Sequence, residues 1–201
     1  MEDQYTSLKA ASEGYYKEKG SRFYGFAWPV HSLEEVEAHL AAVSKKYYDA
    51  RHVCYAYRFG VKGEPWRAND DGEPSHSAGD PILNELRSKG ISDALVAVIR
   101  YFGGTKLGVG GLIRAYGTAA KEAIENGQIV EIVLTERLEI RFSYEFTSEV
   151  NRALHKLSLK PDASVYEADC WQAFDIRKTE VAKVAGVFRE LGILVEKLDK
   201  K

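Results

Sequence analysis

The sequence predicts an α+β fold in two domains, residues 1–130 and 131–201, and three observations carry that reading. Up to Gly127, strand-like apolar runs alternate with amphipathic helices. Beyond it the rhythm resets to a βαββαβ order. Between the two best-defined elements of the first half, the run Arg100-Tyr-Phe-Gly-Gly-Thr-Lys-Leu-Gly-Val-Gly-Gly-Leu-Ile-Arg-Ala-Tyr116 joins an apolar strand to a helix through five glycines.

Residues 22–28 read as a strand closed by Pro29. Ser32-Leu-Glu-Glu35 has the capping-box spacing that opens a helix toward Tyr48, with Leu33, Val36 and Leu40 on its buried face. In residues 53–59, Val, Tyr, Tyr and Phe alternate with Cys, Ala and Arg, which puts the aromatics on one side of a strand. Residues 60–79 are rich in Gly, Pro, Asp, Asn and Ser and read as one long surface loop. Asp80-Pro81 then opens a helix, Asp as N-cap and Pro in the first turn, and Gly90 closes it. Residues 94–99 are a continuous apolar strand. After the glycines, Leu112, Tyr116, Ala119 and Ala123 share one helical face, with Arg114 and Lys121 opposite.

In the second half, strands are expected near residues 137–144, 164–169, 172–177 and 193–198, with helices near 148–157 and 180–191. This is the ferredoxin-like order, an antiparallel sheet with two helices on one face. Thr147 and Thr179 are the expected N-caps and Gly192 the expected C-cap. The boundary falls near residues 127–136.

A formal charge of −2 and a pI near 6.2 argue against a protein that coats nucleic acid through its global charge. Any polyanion contact is therefore local. Residues 94–121 hold Arg100, Lys106, Arg114 and Lys121 with no Asp or Glu, a basic patch in a nearly neutral chain. Gly103, Gly104, Gly108, Gly110 and Gly111 can turn backbone amides toward an anion, helped by the dipole of the following helix. The alternative is that they only turn and pack the connection. The run is neither a dinucleotide fingerprint nor a Walker loop, because the third glycine and the closing Lys-Ser/Thr are missing.

Asn69-Asp70-Asp71-Gly72-Glu73-Pro74-Ser75-His76-Ser77-Ala78-Gly79 is the second suggestive segment. Asp70, Asp71 and Glu73, with Ser75 and His76, could hold a hard divalent cation, although the spacing is not that of an EF-hand and a zinc site would want more His or Cys. The other reading is structural, since Asp and Asn beside Gly and Pro make self-bonded turns. His52 reads as a satisfied structural residue at a strand start, and its i, i+2 spacing to Cys54 makes no nucleophile dyad. Cys54 and Cys170 match no metal or redox spacing, and no run of residues has the length of a membrane span. A soluble, reduced, cytoplasmic protein is expected, with Cys54 packed as a small apolar side chain.

Three ordered motifs over about 65 positions resemble the IMPACT family, in its bacterial YigZ type. They are His52-Val-Cys-Tyr-Ala-Tyr-Arg58; Asn69-Asp-Asp-Gly-Glu-Pro-Ser75, continuing through Ala78-Gly79 to Pro81-Ile82-Leu83; and Arg100-Tyr-Phe-Gly-Gly104, continuing through Lys106-Leu107-Gly108 and Gly110-Gly111-Leu112 to Arg114-Ala115-Tyr116. The resemblance is strong over residues 20–127. His76 stands where such proteins usually carry glycine, Ser77 where threonine is usual and Val109 where a small polar residue is frequent. The resemblance implies a first domain with the fold shared by ribosomal small-subunit proteins and small-molecule kinases, including a left-handed βαβ crossover, contrary to the usual hand. It implies a second domain like the last domain of elongation factor G. Eukaryotic relatives carry an extra N-terminal partner-binding domain, for which this N-terminus is too short, and restrain a kinase of translation initiation.

The expected function is a non-enzymatic, translation-associated regulator that binds RNA, the ribosome or a ribosome-bound protein, without a cofactor. The alternative is a phosphate- or nucleotide-handling enzyme whose glycine loop holds phosphates and whose Asp70, Asp71 and Glu73 hold Mg²⁺.

Overall fold

The computed structural model of the chain describes residues 3–167 and 169–198. Its contacts divide it into two compact units, residues 5–132, and residues 133–198 together with residues 3–4.

In the first unit, β2 (Ser12–Glu18), β3 (Ser21–Pro29), β4 (His52–Arg58), β5 (Trp66–Asn69) and β6 (Ala94–Tyr101) form a five-stranded sheet in the order β2-β3-β6-β4-β5. Every neighbouring pair is antiparallel. A separate two-stranded ribbon joins β1 (Gln4–Leu8) to β7 (Ile129–Val133). The central strand β6 is apolar without alternation because both its faces are covered. Ala94, Val96 and Val98 pack with residues of α2 (Gly79–Ser88) and α3 (Gly108–Glu125). Leu95 and Ile99 lie on the other face, where Val36 and Val43 of α1 (Leu33–Lys46) are buried. On that face the aromatics of β4 line up as expected, Tyr55 stacked on Tyr57 with ring centroids 6.5 Å apart. The face of α3 that carries Leu112, Tyr116, Ala119 and Ala123 is buried as its period requires. It packs so closely on β2 that a Cβ at Gly14 would stand 2.3 Å from the Ala123 nitrogen.

Several local expectations need correction. Leu33 is 48% exposed, because it is the first residue of α1 and precedes the stripe formed by Val36, Leu40 and Val43. The capping box is offset by one residue: Ser32 Oγ accepts the Glu35 amide, while the Glu35 carboxylate accepts the His31 amide. The loop at residues 60–79 contains the short edge strand β5, paired with β4. Helix α2 begins at Gly79, and Asp80 is not its N-cap. That role passes to Asp70 from the preceding loop, whose Oδ1 accepts the amides of Ala78 and Gly79 at 2.9 and 2.8 Å. The edge strands β1 and β2 fall in a polar stretch without a clear apolar period, and sequence reading missed them.

The second unit holds β8 (Thr135–Ser143), a single 3-10 turn, α4 (Thr147–Lys156), β9 (Ala163–Val165), β10 (Asp169–Arg177), α5 (Val181–Glu190) and β11 (Leu194–Leu198). Its antiparallel sheet has the order β11-β8-β10-β9, the ferredoxin-like arrangement. Alternate residues Leu138, Ile140 and Phe142 of β8 meet Phe174 and Ile176 of β10, and Val150, Leu154, Val181, Val184 and Phe188 from the two helices complete this core. The third strand of the expected order starts earlier, at Asp169, which shortens its predecessor; Ala168, within the stretch assigned to that predecessor, lies outside the described residues. Neither threonine caps as expected. Thr147 is already helical and its hydroxyl donates to the Tyr144 carbonyl, while the Thr179 hydroxyl is turned to Asp3. Gly192 does close α5, with φ +76 and the Ile193 amide returning to the Phe188 carbonyl at 3.0 Å.

Candidate functional site

The antiparallel register of β4 and β6 sets His52 opposite Arg100. The residues just outside that pair, Arg51 before β4 and Tyr101-Phe102 at the end of β6, are thereby brought to one end of the sheet. The glycine-rich connection and the first turn of α3 arrive at the same end. Together they bound a cleft of about 800 Å³ lined by Asp49, Arg51, His52, Glu73, Pro74, Arg100, Tyr101, Phe102, Lys106, Leu107, Gly108, Val109 and Leu112. That volume is in the range of small-ligand sites. The acidic loop and the glycine loop therefore share one cleft.

Its electrostatics follow from which charges are already matched. Arg100 Nη1 lies 2.7 Å from Glu73 Oε1, and Tyr116 donates its hydroxyl to the same oxygen at 2.8 Å. Burial pushes the Tyr116 hydroxyl and the Cys54 thiol far above their ordinary values, so both stay protonated. Asp49 accepts the Tyr101 hydroxyl at 2.6 Å. Arg51 and Lys106 are exposed and, among the described residues, have no ion-pair partner. Helix α3 starts on this cleft with no side-chain cap and no acid in its first turn. Its leading amides and dipole thus face the opening without an intramolecular anion. The Phe102 ring is 57% exposed beside them, 5.5 Å from the Arg100 guanidinium.

The acidic loop is used differently. Asp70 Oδ1 caps α2 and its Oδ2 accepts the His76 amide at 2.9 Å. Burial raises the Asp70 carboxyl, but the amides of Gly79, His76 and Ala78 outweigh it and hold it below the usual carboxylate range. Asp71 Oδ2 accepts the Val53 amide at 2.6 Å, and its carbonyl oxygen lies 2.6 Å from His52 Nδ1. Glu73 is committed to Arg100 and Tyr116. Among the described residues, no group of three or more His, Cys, Asp or Glu side chains is disposed to hold a metal ion. Ser75 is exposed. His76 has φ +63, in the left-handed region that favours glycine, and its Nδ1 pairs with Asp80 at 2.6 Å.

Of the basic and glycine residues singled out from sequence, Arg100, Lys106 and Gly108 line the cleft. Arg114 does not; its guanidinium lies 3.7 Å from Glu18. The local basic patch is weaker than its sequence suggests, because Glu73 and Glu18 come from elsewhere in the chain to meet Arg100 and Arg114, and Glu125, one turn further along α3, lies 4.0 Å from Lys121. Gly103 has a packing role. Its amide donates to Ser21 Oγ at 3.1 Å, and a Cβ there would stand 1.9 Å from the Gly20 carbonyl carbon. Gly104 and Gly110 are exposed, and Gly111 is buried against Leu107. Sequence reading missed Arg51, Phe102 and the cleft position of His52. The available signal was an aromatic placed just past the end of an apolar strand; the pairing of β4 with β6 that brings Arg51 and His52 beside it is not local in sequence.

The fold and site define a two-unit α+β protein with an open, partly cationic cleft at one end of its first sheet. The Impact N-terminal domain family matches residues 19–124. The chain is 35% identical over 156 residues to the IMPACT family member YvyE of Bacillus subtilis, covering 78% of this chain and 72% of that one. It is 31% identical over 173 residues to the IMPACT family member YigZ of Escherichia coli, covering 83% and 81% of the two chains. The chain belongs to the IMPACT family. A solved structure described as that of a hypothetical protein overlaps the whole of both chains with a TM-score of 0.69 at 23% identity, and so shares the fold. Among the described residues, no helix is long and apolar enough to cross a membrane.

Proposed function

We propose that this chain is a cytoplasmic, translation-associated regulatory protein that binds RNA, free or within the ribosome, through the cleft between the acidic and glycine-rich loops. The observation that carries this reading is the convergence on one opening of Arg51 and Lys106, which have no ion-pair partner among the described residues, with the start of α3, which has no side-chain cap, and the exposed Phe102 ring. Cations and amides suit phosphates, and an exposed ring suits an unstacked base, the combination used by single-strand binders. The translational setting rests on family membership and on the role that the resemblance implies for eukaryotic relatives. The Mg²⁺-dependent alternative draws no support from the acidic loop, since the three carboxylates it would use already accept protein donors.

The test is a titration of a 5′-labelled oligouridylate, read by fluorescence anisotropy across about 50 to 200 mM salt. Binding is expected to weaken with salt, and the double substitution Arg51→Ala, Lys106→Ala is expected to lower affinity and flatten the log-log slope by about 0.7 for each phosphate no longer neutralised. Co-sedimentation of the same variants with ribosomes separates free RNA from ribosomal RNA as the target. Binding that the double substitution leaves unchanged would sink the assignment to this cleft.

A further inference from the structure

His52 adds one chemical feature to the cleft that the cations do not. Its Nδ1 stands 2.6 Å from the Asp71 carbonyl oxygen. A carbonyl can only accept, so Nδ1 carries the proton and, in the neutral ring, Nε2 presents a lone pair. The ring is tied to the acidic loop at two points, because the Asp71 carboxylate also accepts the amide of Val53, the next residue along β4. Among the described residues, Nε2 has no hydrogen-bond partner.

The cleft's carboxylates could not serve a phosphate-bearing ligand as acceptors without repelling it, and both already hold donors: Asp49 holds the Tyr101 hydroxyl, and Glu73 holds Arg100 and Tyr116. A nitrogen lone pair beside Arg51 and Lys106 carries no negative charge and so no such penalty. In a nucleic acid, the group that donates a hydrogen bond and lies next to the phosphate is the ribose 2′-hydroxyl, which DNA lacks. We infer that His52 Nε2 accepts a hydrogen bond from a ribose 2′-hydroxyl and makes the cleft selective for RNA over DNA. This rests on the polyanion reading above.

Three labelled ligands with one base decide it: oligouridylate, its 2′-deoxy counterpart and its 2′-O-methyl counterpart, each titrated with the full chain at one salt concentration. The 2′-O-methyl sugar keeps the oxygen and exchanges the donated hydrogen for a methyl group, while the 2′-deoxy sugar loses the donor without adding bulk. The ribo form is expected to bind roughly five- to tenfold tighter than both others, the contribution of one hydrogen bond. In His52→Phe the ribo-to-deoxy ratio is expected to fall to about one. Equal binding of the ribo and 2′-O-methyl forms, or a ratio that persists in His52→Phe, would overturn the inference while leaving the polyanion reading standing. Failure of all three ligands to bind would overturn both. If His52→Phe does not fold, the ligand series with the parent protein still decides between these outcomes.

Discussion

Arg100 and Glu73 form an ion pair at 2.7 Å with side chains only 11% and 5% exposed, and this pair ties the acidic loop to the strand that leads into the glycine loop. Among the described residues the buried Arg100 Nε has no partner, and Glu73 is the carboxylate that balances the guanidinium charge. Removing one member of such a pair leaves an uncompensated buried charge, at a cost of about 3–5 kcal/mol. Glu73→Ala is therefore expected to lower the urea midpoint strongly. Glu73→Gln, which keeps an acceptor for Tyr116, is expected to cost less and to tighten oligouridylate binding by freeing the Arg100 charge toward the cleft. A Glu73→Ala midpoint within error of the parent would show that the pair contributes nothing net.

Asp70 makes the acidic loop pH-sensitive. Its carboxyl is held below the usual range in the folded state, because the amide bonds that favour the charged form outweigh the burial that opposes it. The stabilisation is therefore complete above the unfolded value of about 4, and it is lost as pH falls through that value toward the lowered folded one. Asp70→Asn is expected to cost about 1–3 kcal/mol at neutral pH, since its NH₂ would face backbone donors. The difference in urea midpoint between parent and variant should be constant from about pH 7 to 5 and shrink below about 4. A difference that does not vary with pH would mean that the carboxylate charge is not what holds the loop.

These two carboxylates also show where sequence reading reaches its limit. The period of α3, the apolar run of β6 and the βαββαβ order of the second half are local patterns, and each corresponds to an element of the structure. The partner of a charge is not local. Glu73 and Arg100 are 27 residues apart, and Asp70 caps a helix that starts nine residues later, while Asp80, beside that start, looked like the cap. Edge strands such as β2 and β5 escaped for a related reason. One of their sides faces no neighbouring strand, so their composition is constrained less than that of β6. The cleft needed the register of β4 with β6 before its residues could be grouped.

Two glycines of the loop are expected to respond in opposite ways to the same change. Gly103→Ala would drive a Cβ to 1.9 Å from backbone that has no room to move, and is expected to unfold the loop or the whole first unit. At Gly110, among the described residues, nothing beyond its chain neighbours and the nearby helix backbone lies within 4 Å of the added methyl, and the residue sits in the first turn of α3. Gly110→Ala is expected to raise the melting temperature through helix propensity, by up to about 1 kcal/mol. Similar melting temperatures for the two variants would refute the packing role of Gly103.

We propose that the two compact units behave as separate domains. Phe188 is fully buried against Phe174 in the second core, with ring centroids 6.0 Å apart. Phe188→Ala is expected to cost about 3–5 kcal/mol. Hydrogen exchange should quicken in β8, β10, α4 and α5 while β6 and α3 keep their protection. Equal loss of protection in β6 would show one cooperative structure.

The first turn of α3 offers an experiment in which stability and binding are expected to move in opposite directions. Val109 lines the cleft, is 52% exposed and sits one residue into a helix whose first turn holds no acid. A carboxylate there meets the positive end of the helix dipole, which stabilises by about 0.3–1 kcal/mol at an exposed site. The same carboxylate would occupy the opening that the proposed phosphate needs, beside Lys106. Val109→Glu is therefore expected to raise the melting temperature slightly while weakening oligouridylate binding by about tenfold or more, on the order of 1.4 kcal/mol of added repulsion. Val109→Gln, of nearly the same shape without the charge, is expected to bind close to the parent, which separates repulsion from the removal of an apolar side chain. If the Glu and Gln variants bind oligouridylate equally, the α3 terminus does not face the ligand's phosphates, and the cleft is not where the polyanion sits.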